Sequence, residues 1–126
     1  MSDYLEGKIL DHVLSTTSFT MPTGVYVGLS TGSFGDDNSG TELSGSGYVR
    51  QGDVAFDAAS GGVADNTSNI EFPAATGSWG TVSHWGIFDA ATSGNLLIHG
   101  ALSSSKSIAI GDILRLSASD LAVTAA

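Results

Sequence analysis

Turn-forming residues interrupt this chain roughly every ten positions, and the stretches between them alternate apolar with polar side chains. That rhythm admits many short strands and few long elements of any kind. Val25, Val27 and Leu29 alternate with Tyr26 and Gly28, which predicts a strand. Tyr48 to Phe56 predicts a second β stretch, closed by the turn Ala58-Ala-Ser-Gly-Gly62. Val63 to Asn66 and Ile70-Glu-Phe72 follow, the latter stopped by Pro73. Thr81 to Phe88 and Asn95 to Leu102 flank Asp89-Ala-Ala-Thr-Ser-Gly94, the pattern of a hairpin. Ser107 to Ile110 and Ile113 to Leu116, joined at Gly111-Asp112, predict another, and Leu121-Ala-Val123 closes the chain. Seven or eight short strands imply an all-β fold, a single β-sandwich or jelly-roll-like domain over residues 1–126.

One segment breaks the rhythm. Across residues 3–14, Leu5, Ile9 and Val13 recur at helical spacing, with Leu10 and Leu14 widening the stripe, and Ser2 or Asp3 can cap the start. Gly7 in the interior costs about 1 kcal/mol against Ala. A helix this short is marginal alone, so the stripe needs a surface to dock on. Residues 31–47 are almost wholly Gly, Ser, Thr, Asp and Asn, and predict a long polar loop.

Composition narrows the partners. Thirteen acids against four bases (Lys8, Arg50, Lys106, Arg115) give a formal net charge of −9. Such a field repels nucleic acid and anionic membrane surfaces. Charged residues are only 13% of the chain, and there is no cysteine, so disulfides and thiolate metal sites are closed to it. No apolar run approaches the length of a spanning helix, and the first residues lack the basic and apolar regions of a signal peptide, which predicts synthesis in the cytoplasm without export by a classical signal.

The candidate chemical motifs are weak. His84 and His99 fall on predicted neighbouring strands, but a metal site needs further ligands, and Asp89 is the only nearby carboxylate in sequence. The loop Asp36-Asp-Asn-Ser-Gly-Thr-Glu42 misses the calcium-loop register, with Gly40 at the fifth position instead of the sixth. No Gly-x-Ser-x-Gly elbow follows a strand. Asp53, Asp57 and Glu71 are the acids available for glycoside chemistry, which needs two of them across a cleft. Asn66-Thr-Ser68 matches a glycosylation sequon, which counts only on a secretory route. The expectation is a non-enzyme with no cofactor and no metal.

The run from Phe72 to Asp89, Phe-Pro-Ala-Ala-Thr-Gly-Ser-Trp-Gly-Thr-Val-Ser-His-Trp-Gly-Ile-Phe-Asp, followed by Gly94 to Leu102, resembles a family of short virion proteins of tailed phages, commonly labelled phage tail fibre proteins. Tyr4 to Leu14, Pro22 to Leu29 and Tyr48-Val-Arg-Gln51 fit the same pattern. The resemblance implies a β-sandwich subunit of the particle and brings no catalytic residue with it. A fibre shaft needs a repeating trimerisation device, and the chain has no repeat. The expectation is therefore a capsid decoration or cement protein that bridges neighbouring major capsid subunits, with a tail fibre or baseplate component touching the host surface as the alternative. Its partners would be phage structural proteins and further copies of itself. The expected contact residues are Tyr4, Leu5 and Ile9 on the helix, Phe34, Asp36 and Asp37 in the loop, and Trp79. Trp85 is assigned to the core, and the loop is expected to order on contact.

Overall fold

The computed structural model describes residues 1–124. It is mostly β with one short helix. The elements are α1 (Asp3–Val13), β1 (Tyr26–Ser30), β2 (Val63–Ala64), β3 (Ile70–Glu71), β4 (Gly80–Phe88), β5 (Leu96–Ile108), β6 (Arg115–Leu116) and β7 (Val123–Thr124). β1, β4 and β5 form an antiparallel sheet in that order, and β2–β7 and β3–β6 form two short antiparallel ribbons. These pairings make one three-stranded sheet and two ribbons, where the alternation predicted the two facing sheets of a jelly roll.

The β4–β5 hairpin turns where predicted. Asp89 accepts from the Asn95 amide (2.7 Å) and from Asn95 Nδ2 (2.9 Å), closing the 89–95 loop. The second predicted hairpin does not form. β5 runs on through Ser103-Ser-Ser105 to Ile108, and after the turn at Gly111-Asp112 the chain leaves the sheet. β6 then pairs with β3, with Ile70 opposite Leu116 and Glu71 opposite Arg115. Tyr48 to Phe56 is likewise no strand: its backbone makes only single bridges, Val27–Gln51 and Phe56–Asn66.

The sheet has two unlike faces. Val27 and Leu29 lie opposite Ile87 and Trp85, and this face meets Leu97, Val82, Ile108, Leu114, Leu116 and Leu121 in the main core. On the other face Gly28 stands opposite Gly86. A Cβ on Gly28 would press on Glu42, Tyr48 and Phe88, and one on Gly86 on Leu96, Phe34 and Phe88. The paired glycines thus leave the floor on which the 31–51 segment packs.

α1 is fastened at its start and little elsewhere. Ser2 is 1% exposed; its hydroxyl donates to the Leu96 carbonyl (2.5 Å) and accepts from the Leu5 amide (3.2 Å). Its own amide donates to the Leu97 carbonyl, and the Asp3 amide to that of Asp36. Of the predicted apolar stripe only Leu5 is buried. Ile9 (36%), Leu10 (59%), Val13 (68%) and Leu14 (68%) remain exposed. Beyond Leu5 the stripe therefore does not dock on its own sheet.

Candidate functional site

The densest polar cluster lies where residues 42–50 cross the glycine floor. Arg50 donates from Nε and Nη2 to the two carboxylate oxygens of Glu42 (2.9 and 2.8 Å), and from Nη1 to the carbonyls of Ala90 and Ser93 (2.8 Å each). Its guanidinium carbon stands 3.6 Å from the Phe88 ring centre. Tyr48 donates its hydroxyl proton to Glu42 and accepts from the Leu29 amide at 2.9 Å. Arg50 thereby ties three parts of the chain together: its own segment, the tip of the β4–β5 hairpin and, through Glu42, β1. Side chains hold this segment, which is why a strand pattern from Tyr48 onward produces no strand.

Burial and the hydrogen bond to Glu42 push the Tyr48 phenol well above its ordinary range, beyond any working pH. The unfolded chain ionises this phenol near pH 10 while the folded chain keeps it neutral. Stability is then fully present below pH 10 and falls above it by about 1.4 kcal/mol per pH unit. Thermal unfolding followed from pH 9 to 12 is expected to show this decline. Tyr48→Phe, which has no proton to lose, is expected to flatten it while starting from a lower stability. An equal slope in both proteins would refute the assignment.

The expected contact residues divide sharply. Leu5, Phe34 (1% exposed) and Trp79 (5%) are core residues. Phe34 packs edge-on against Phe88 at 5.6 Å in a satellite cluster with Leu96. Trp79 packs edge-on against Tyr48 and Phe72, and its indole N–H donates to the Ser46 carbonyl at 2.9 Å. Phe34 and Trp79 offer nothing to a partner in the closed fold, whereas Leu5 borders an open apolar groove. Tyr4, Ile9, Asp36 and Asp37 do lie at the surface. A tryptophan at a strand entry next to glycines suits core or contact equally in sequence; the Ser46 carbonyl that takes its N–H corrects the contact reading to core.

The 31–47 loop is already held against the sheet. Gly40 donates to the Phe34 carbonyl, Leu43 to that of Leu29, and Ser30 bridges Glu42. A Cβ at Gly40 would collide with the Ser33 carbonyl and the Phe34 backbone, so the loop closes only with glycine there. Its acids point to separate partners. Asp36 takes His99 Nε2 at 2.8 Å, while the Ser39 hydroxyl and amide hold the Asp37 carboxyl below its usual range. The predicted ordering on contact is thus unnecessary, because Phe34 anchors the loop in the isolated chain.

The histidines likewise serve separate partners: His84 pairs in register with Ala101 and bonds Ser83 Oγ (2.7 Å), whereas His99 reaches Asp36. Among the described residues no three His, Asp or Glu side chains gather to hold a metal. Asp57 hydrogen-bonds Asp65, which raises its carboxyl above the ordinary value, and lies apart from the pocket that Asp53 and Glu71 line together, where Glu71 is bonded to Arg115 at 3.1 Å. Asn66 is 0% exposed with both side-chain amide hydrogens donated, to Ser68 and Ser117, so the sequon is closed in the folded protein. No helix of the described residues is long and apolar enough to cross a membrane.

These features define a class: a small, mostly β protein whose buried polar groups hold loops in place and whose helix leaves most of its apolar stripe exposed. The family model for podophage GP4 fiber I protein gp80 matches residues 1–124, and the chain belongs to that family of short-tailed phage virion proteins. Membership puts it in the phage particle. No curated protein matches it.

Proposed function

We propose that the chain is a fibre-type structural subunit of a short-tailed phage particle, acting through static protein contacts and performing no chemistry. The observation that carries this reading is the arrangement of polar groups around Arg50. Glu42, Tyr48 and Arg50 would be the natural reactive constellation, yet each is committed to a partner within the fold. The family description supports the fibre assignment. A second reading, a head-decorating cement protein bridging capsid subunits, is favoured by the lack of any shaft-building repeat in the sequence.

Copy number in purified particles separates the two. A fibre subunit is expected at a small multiple of the tail symmetry, and a cement protein at a number that scales with the capsid lattice. Imaging of intact particles locates the chain directly. Turnover of any substrate by the purified protein, abolished by one side-chain replacement, would refute the structural reading altogether.

A further inference from the structure

The least explained surface is the outer face of α1. At about 100° per residue, Ile9, Val13, Leu10 and Leu14 follow one another around a single arc of the helix. All four are exposed, by 36 to 68%. In the same arc Glu6 falls between Val13 and Leu10, and Asp3 between Leu10 and Leu14, both in the first turn and both exposed. The face is therefore apolar toward its C-terminal end and acidic toward its N-terminal end. Lys8 lies outside the arc, with its ammonium 5.6 Å from the Tyr4 ring centre.

The apolar surface continues past the helix. An open groove of about 270 Å³ starts at Leu5 and is lined only by apolar side chains, including Phe19, Pro22, Val25, Ile98 and Val123. The helix is also set firmly for presentation, because the buried Ser2 and the Asp3 amide bind it to β5 and the loop. Association then needs no further ordering of this element, which lowers its entropic cost.

Building on the structural-subunit reading above, we propose that this arc and groove dock a different protein of the particle, one presenting apolar side chains rimmed by Lys or Arg, and not a second copy of this chain. Charge decides between the two occupants. A second copy brings a net charge of −9 toward a face that already holds Asp3 and Glu6. Of the four bases, Arg50 and Arg115 are already ion-paired with Glu42 and Glu71, and Lys8 lies off the docking face. Only Lys106 remains to answer two acids on each copy, and like-charge juxtaposition at an interface is strongly unfavourable. A basic partner turns the same acids into attraction and faster encounter.

The test places a photo-crosslinking residue at Leu14 in particles that carry the full chain. The expected product is a cross-link to another virion protein, mapped to a peptide with apolar residues flanked by Lys or Arg. A product at twice the chain's 12.7 kDa, or no product, overturns the proposal. Leu10→Gln with Leu14→Gln, and separately Glu6→Lys, are each expected to lower the copies per particle at least tenfold while leaving the unfolding midpoint unchanged. Undiminished incorporation of Glu6→Lys would overturn the basic rim. Absence of the wild-type chain from purified particles would instead refute the structural-subunit reading on which this rests.

Discussion

Arg50→Ala is expected to destabilise the protein by about 3–5 kcal/mol, the usual cost of removing one partner from a buried ion pair. The Arg50 side chain is 8% exposed and that of Glu42 is 23% exposed, so the carboxylate left behind is poorly reached by water. The Ala90 and Ser93 carbonyls lose their donor at the same time, and Phe88 loses the cation over its ring. The melting temperature is expected to fall by on the order of 10 °C or more. Arg50→Lys should recover only a minor part, because an ammonium cannot reproduce the four-bond fork. Combining Arg50→Ala with Glu42→Ala should cost less than the two separate losses added together, since no unpaired charge remains. Urea unfolding of the purified variants measures all of this. A loss below about 1 kcal/mol would mean that the pair behaves as a solvated surface contact.

Asn66→Asp is the second large effect, although it changes the side chain's shape very little. Asn66 Nδ2 donates to the Ser68 and Ser117 carbonyls, both at 2.9 Å, and its Oδ1 accepts from the Leu121 amide at 2.9 Å. The side chain thus joins the turn after β2 to the segment leading into β7. An aspartate points a charged oxygen at two carbonyls in a site that is 0% exposed. The expected loss at pH 7 is about 3 kcal/mol or more. The protonated acid can donate to one carbonyl, so the folded state raises this carboxyl above its unfolded value near 3.9. The penalty is therefore greatest above the folded pKa and is relieved as pH falls toward the unfolded one. Acidification from pH 7 to 4 should stabilise the variant relative to its parent. A variant that loses less than about 1 kcal/mol and ignores pH would show that the amide is not required there.

Three local patterns correspond to the structure they predict. The helical spacing from Leu5 to Leu14 corresponds to a helix at Asp3–Val13, the alternation at Val25–Leu29 to β1, and Asp89–Gly94 to the hairpin loop. What failed to show in the sequence was set by contacts between distant residues. Nothing from Ile113 to Leu116 says that this segment leaves Ile108's sheet and sets Leu116 opposite Ile70, because both pairings satisfy the same alternation. Tyr48 and Arg50 look like strand residues, and only Glu42, Phe88 and the Ala90 carbonyl, each elsewhere in the chain, reveal them as tethers. Phe34 in a polar loop reads as a contact residue, since Gly86, which makes room for it, lies more than fifty positions away. The helix stripe was legible as apolar, but periodicity cannot say whether a stripe finds its cover inside the chain or outside it.

β5 runs along the outer margin of the three-stranded sheet, and between Val82–Lys106 and His84–Ala101 the four residues from Leu102 to Ser105 stand opposite Ser83 alone. A margin swollen in this way cannot lie flat against an identical one, so the ladder has no straight template from which to grow. In a particle, where neighbouring proteins are crowded together, the misshapen margin protects each subunit from fusing laterally into a fibrillar stack.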